Sequence, residues 1–211
     1  MNKDLTEIVL VVDRSGSMQS CRDEAQGGIN AFIEDQKKIK GKANFTLVQF
    51  DTQYDFIHEG VDMQEVPEFE LHPRGGTALL DAVGRAISET GERLSKMDEE
   101  DRPGLVVFVI TTDGEENSSR EYNAKQIKEM VTEQQNKYNW QFTFLGAGID
   151  AFDVGGGMGF SKSATANCNT RNYGATFTAA SCNVGRMRGM TTAGVSVENS
   201  YTKEELASMT K

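Results

Sequence analysis

The chain has 211 residues, of which 37% are hydrophobic and 26% charged with only 3 prolines, a balance that supports a sizeable core and excludes a disordered or fibrous protein. A formal net charge of -10 excludes a long nucleic-acid footprint, which needs clustered Lys and Arg to displace counterions, and sets the chain against an anionic membrane surface. Three cysteines, Cys21, Cys168 and Cys182, are an odd count at irregular spacing and exclude a disulfide or zinc framework.

Glu7 to Val12 is a short, β-branched apolar run that stops at Asp13, the pattern of a strand buried on both faces. Ala25, Ile29, Phe32 and Ile33 then recur at helical spacing, predicting a helix from Arg22 to Lys40 with lysines at its C-terminal end. Asn44 to Phe50 reads as a second strand, and Tyr54 to Glu59 as a hairpin-like neighbour or edge. Leu80, Val83, Ile87 and Leu94 place a helical stripe on Thr77 to Met97. Leu105 to Ile110 is another apolar strand, running into the Asp113-Gly114 turn; a helix over Asn123 to Tyr138 and a strand over Gln141 to Leu145 follow. Beyond Asp153 the chain is rich in Gly, Ser, Ala, Thr and Asn, with one short edge strand expected near Ser163 to Asn167 and one helix around Ala175 to Met187. Strands alternating with helices, the strands being continuously apolar, imply a doubly wound α/β fold with a mostly parallel sheet covered on both faces. The expected organisation is one domain over residues 1–193 and a tail over 194–211, in which Thr202-Lys203-Glu204-Glu205 is a capping box that opens a short helix.

In such sheets ligands bind beyond the carboxyl ends of the strands, where strand order reverses. Asp13-Arg14-Ser15-Gly16-Ser17 follows the first strand, Thr111-Thr112-Asp113-Gly114 follows the central one, and Arg74-Gly75-Gly76-Thr77 precedes a helix. Asp13 and Asp113 offer carboxylate oxygens, Ser15, Ser17 and Thr77 offer hydroxyls, and the pattern contains no His or Cys. This all-oxygen set suits a hard cation such as Mg²⁺, Mn²⁺ or Ca²⁺ rather than zinc or copper. Two carboxylates only just neutralise a +2 ion, which stays electrophilic towards an incoming carboxylate.

Together these pieces resemble the metal-ion-dependent adhesion site of von Willebrand factor A domains, over about Glu7 to Gly148. The later glycine-rich part resembles small intracellular bacterial and phage members, some of them linked to tellurium resistance. The resemblance implies a Rossmann-like fold and a non-enzymatic, protein-binding role with Mg²⁺ as the expected cation. It also implies that Ser15, Ser17 and Thr77 ligate directly in at least one state, that Asp13 and Asp113 ligate directly or through water, and that a partner Glu or Asp usually completes the octahedron. An ATPase-containing complex is the setting it suggests for that partner. Cytoplasmic location is expected, since Met1 to Thr6 is polar without a secretory layout and no apolar run approaches the roughly 20 residues of a membrane helix.

A Mg²⁺-dependent phosphotransferase or hydrolase on a similar sheet is the competing reading. Against it, the first loop is Asp13-Arg14-Ser15 rather than Asp-x-Asp, and neither a phosphate loop nor a Gly-x-Ser-x-Gly elbow occurs. Gly146-Ala147-Gly148-Ile149-Asp150-Ala151 fits Gly-x-Gly-x-x-Ala, but no Asp or Glu lies between Val154 and Val197 to hold a ribose, so the match reads as an accidental loop. Glu115, Glu116 and Asn117 are expected in a solvated acidic loop, and His58 and His72 on the surface. Asp81 fits equally a wet helix face and a supporting role behind the metal residues. Cys21 reads as a small residue at a helix start, and Met187 and Met190 as packing.

Overall fold

Alternate residues of the first strand enter two different cores. Ile8, Leu10 and Val12 join one hydrophobic cluster and Val9 and Val11 the other. The central strand does the same, with Leu105, Val107 and Val109 on one side and Val106, Phe108 and Ile110 on the other. A strand that must be apolar on both faces sits mid-sheet with helices on each side, which is why these runs lack alternation.

The computed structural model describes residues 1–211. Its elements in chain order are β1 (Asn2–Asp13), α1 (Arg22–Lys38), β2 (Lys42–Phe50), β3 (Tyr54–Asp62), α2 (Leu79–Ser95), β4 (Pro103–Thr112), α3 (Ala124–Tyr138), β5 (Gln141–Ala147), α4 (Ala151–Gly157), β6 (Thr165–Cys168), α5 (Tyr173–Ala193) and α6 (Lys203–Met209). The six strands form one sheet in the order β3-β2-β1-β4-β5-β6. All neighbours pair in parallel except β3, an antiparallel edge with two register irregularities against β2. The doubly wound α/β class predicted from the sequence is the fold observed.

Helices α1, α5 and α6 cover one face and α2, α3 and α4 the other, as their buried residues divide between the two clusters. Phe108 anchors the second cluster, stacked on Trp140 and Phe142 with ring centroids 5.5 and 4.9 Å away. Full burial of such a ring contributes about 2–3 kcal/mol. On the first face, Arg188 of α5 donates to the Gln36 and Gly41 carbonyls and Gln36 donates to Ser181, tying α5 to the end of α1. No helix is long and apolar enough to cross a membrane.

The segment 194–211 packs against the first cluster through Tyr201, Leu206 and Met209. Its Asn199 bonds the Phe142 carbonyl and Asn183, and Glu205 pairs with Arg186. The capping box forms as the sequence predicts, with the Thr202 side chain and Glu205 exchanging hydrogen bonds at the start of α6.

Candidate metal site

Strand order turns back between β1 and β4, since β2 and β3 lie on one side of that pair and β5 and β6 on the other. Asp13 is the last residue of β1 and Thr112 the last of β4, so both carboxylate loops leave the sheet at this reversal. The expected residues converge there.

Asp13 is fully buried. One of its oxygens accepts the Ser15 amide at 2.6 Å and the other accepts the Thr112 hydroxyl at 2.5 Å. The hydroxyls of Ser15 and Ser17 lie 2.9 Å apart, and Ser17 Oγ donates to Asp113 Oδ1 at 2.7 Å. Gly114 lets the third loop in: a Cβ there would sit 3.0 Å from Thr77 Oγ1 and 3.7 Å from Ser17 Oγ. All five predicted residues, Asp13, Ser15, Ser17, Thr77 and Asp113, therefore line one locus. Its base is buried, with Ser15 and Thr77 at 2% and 3% exposure, while Ser17 is exposed and Asp113 half-buried, so the cluster opens outward.

Burial pushes the Asp13 carboxyl up to about 6, against hydrogen bonds from Thr112 and Ser15 that lower it and with a further upward push from the charge of Asp113. Burial likewise raises Asp113, with Ser17 opposing. Neither carboxylate has a basic side chain to neutralise it. Arg14 lies between Asp13 and Ser15 in sequence, but its guanidinium turns to Asp51, Asp55 and Gln49. Two carboxylates with unmatched charge beside three hydroxyls are a donor set that fits a hard divalent cation. No group of three or more His, Cys, Asp or Glu side chains is placed to hold a metal ion, so the candidate site rests on two carboxylates and three hydroxyls.

The supporting residues are the ones that sequence reasoning missed or misplaced. Asp51, directly after β2, lies outside the sequence motifs, although β1–β2 pairing sets Asp13 opposite Phe50 and thus brings Asp51 to the same sheet end. Its signal in the sequence is the same as that of Asp13, an acidic residue at the end of an apolar strand. Gly75, at φ +69°, carries the Arg74–Thr77 loop across Asp51, and Gly16 donates its amide to the Gly75 carbonyl at 3.1 Å. Asp81 is not on a wet face: its carboxylate accepts the amides of Arg120, Glu121 and Tyr122 at 2.8, 2.9 and 2.9 Å and holds the loop after Asp113.

The expectation of a solvated acidic loop holds for exposed Glu115 and is corrected for Glu116. Glu116 accepts the Ser118, Ser119 and Leu80 amides, and Asn117 accepts that of Thr77. The N-cap of α2 is Ala78, which has no side-chain acceptor, so this loop supplies the acceptors from outside. Cys21 is buried beside the site, and its thiol is pushed up to about 11 by burial and then by the Asp113 charge. His72 is exposed and His58 half-buried. Met187 is fully buried in the first cluster, and Met190 is half-buried.

The Gly146–Ala151 segment is not wholly a loop, because α4 begins at Ala151. Its first amides are already taken, those of Phe152 and Asp153 by Asp150 and that of Ala151 by Asn167. A pyrophosphate finds no free helix N-terminus there.

No protein-family model and no curated protein matches the sequence. Among solved structures, the von Willebrand factor type A protein from Catenulispora acidiphila aligns with TM-score 0.59 at 14% identity, over 86% of this chain and 42% of that one. The vWF domain of the pilus tip protein Mfa5 from Porphyromonas gingivalis aligns with TM-score 0.60 at 10% identity, over 92% and 97%. The fold is that of a von Willebrand factor type A domain. Manganese-loaded TRAP protein from Plasmodium vivax shares it, with TM-score 0.55 at 14% identity over 83% and 72%. Proximal thread matrix protein 1 from the mussel byssus does too, at 0.61 and 14% over 86% and 46%. This chain spans less than half the length of the byssus and Catenulispora chains that it matches. In the von Willebrand A fold observed here, the paired carboxylates and hydroxyls occupy the sheet end where strand order reverses.

Proposed function

We propose that the chain is a non-enzymatic protein-binding module that holds one Mg²⁺-type cation through Asp13, Ser15, Ser17, Thr77 and Asp113 and uses it to grip a Glu or Asp of a partner protein. The observation that carries this reading is the pair of carboxylates left without a basic partner beside three hydroxyls, in a cluster that is closed at its base and open to solvent. A bound cation would supply Lewis acidity towards a carboxylate. The chain's own residues would hold the ion and keep the base of the site dry. The manganese in the fold-sharing TRAP protein supports a divalent ion; Mg²⁺, Mn²⁺ and Ca²⁺ all fit the donor set.

A phosphotransferase or hydrolase needs a base or nucleophile beside the ion. Cys21, the thiol beside the site, is held protonated by burial and so does not offer a thiolate nucleophile. We extend the reading, on the sequence resemblance alone, to a cytoplasmic setting among small bacterial or phage proteins and to a partner within an ATPase-containing complex. The test is affinity capture with tagged chain in Mg²⁺ and in EDTA. A specific partner is expected in Mg²⁺, lost in EDTA and lost when its contacting acid is changed to the amide. A partner retained equally in EDTA contradicts the reading.

A further inference from the structure

Around the site, one buried side chain joins loops that are distant in sequence. Asp51 Oδ2 accepts Arg14 Nε at 2.9 Å and Arg74 Nε at 2.7 Å, while its Oδ1 accepts the Gln53 amide at 2.8 Å. Its backbone carbonyl accepts the Ala78 amide at 2.7 Å, the residue after Thr77. Arg14 lies between Asp13 and Ser15, and its own carbonyl accepts the Arg74 amide at 2.7 Å. One carboxylate oxygen therefore clamps the loop bearing Asp13, Ser15 and Ser17 to the loop bearing Thr77. Asp51 is 2% exposed, and burial raises its carboxyl, but hydrogen bonds from Arg74, the Gln53 amide and Arg14 outweigh this and hold it below its ordinary value. It is charged and fully engaged.

We infer that Asp51 is a positioning residue for the cation: it sets the distance between the two hydroxyl-bearing loops by holding Arg14 of one and Arg74 of the other. The inference rests on the cation reading above. Removing a group that orients metal ligands costs about 10–100-fold in metal affinity.

The experiment is titration with Mn²⁺, followed by loss of the free-ion paramagnetic resonance signal, on wild type, D51N, R74Q and the double variant, with metal-free melting measured alongside. Wild type is expected to bind. D51N should bind about tenfold more weakly or worse, and R74Q should bind severalfold more weakly. The double variant should be no weaker than D51N, because Arg74 acts through Asp51. A D51N protein that melts lower yet binds Mn²⁺ as wild type does overturns the inference and leaves Asp51 purely structural. Should D51N fail to fold, R74Q decides, since that side chain is 60% exposed and its loss is mild: unchanged affinity overturns the inference. A wild type that takes up no Mn²⁺ removes the cation reading itself, and this inference with it.

Discussion

Mg²⁺ at about a hundred times its dissociation constant is expected to raise the melting temperature of the wild-type protein by about 5–10 °C, and Asp113→Asn is expected to erase the rise. A ligand specific for the folded state stabilises by about 2.7 kcal/mol at that excess, and about 1 kcal/mol moves the midpoint by roughly 2–4 °C in a domain of this size. Asn keeps an oxygen for the Ser17 hydroxyl that Asp113 accepts at 2.7 Å, so the exchange removes charge rather than shape. It also removes the charge that pushes Asp13 upward. The metal-free variant is therefore expected to melt no lower than metal-free wild type at neutral pH. Loss of the response without loss of stability is the signature of a ligand. A variant that melts lower and still responds in full marks Asp113 as structural.

The second large effect is on pH dependence. In the metal-free fold Asp13 sits at about 6 against an ordinary 3.8, chiefly through burial. Between those values the folded state holds a proton that the unfolded chain has released. The stability drawn from protonated Asp13 is thus fully present below the ordinary value and is lost as pH rises through about 6. A cation inverts this, because it binds the carboxylate and competes with the proton. The melting-temperature gap between Mg²⁺-loaded and metal-free protein is expected to be small at about pH 5 and full at about pH 7.5. Raised Asp113 works in the same direction. Asp13→Asn should flatten the metal-free decline across this window and abolish the gap. Melts at closely spaced pH values, with and without Mg²⁺, measure both; a gap as wide at pH 5 as at pH 7.5 places the ion elsewhere.

The central strands were readable from the chain because burial on both faces forces an unbroken apolar run, as in Ile8–Val12 and Leu105–Ile110. Other boundaries were hidden for definite reasons. β1 reaches back to Asn2 through backbone pairing with Pro103, which polar Asn2, Lys3 and Asp4 do not advertise. The short α4 is masked by Gly155, Gly156 and Gly157, each a weak helix former. α5 runs from Tyr173 to Ala193, two residues before and six beyond the 175–187 expectation, because its buried side includes Thr, Ser, Ala and Asn and gives no strong apolar stripe. The residues proposed to hold the cation stand out in the sequence because each lies in a short motif at an element end. Asp51, Asp81 and Glu116 were not, since their roles depend on loops meeting across 23 to 41 residues of sequence. Sequence spacing names the candidate ligands, and tertiary closure names the residues that hold their loops.

The most direct measurement is anomalous diffraction at the manganese edge from crystals grown with Mn²⁺. The account predicts one strong peak bounded by the hydroxyls of Ser15, Ser17 and Thr77 and the carboxylates of Asp13 and Asp113, and no peak there in Asp113→Asn. An empty locus in wild type at saturating Mn²⁺, or a peak of equal height in the variant, contradicts it.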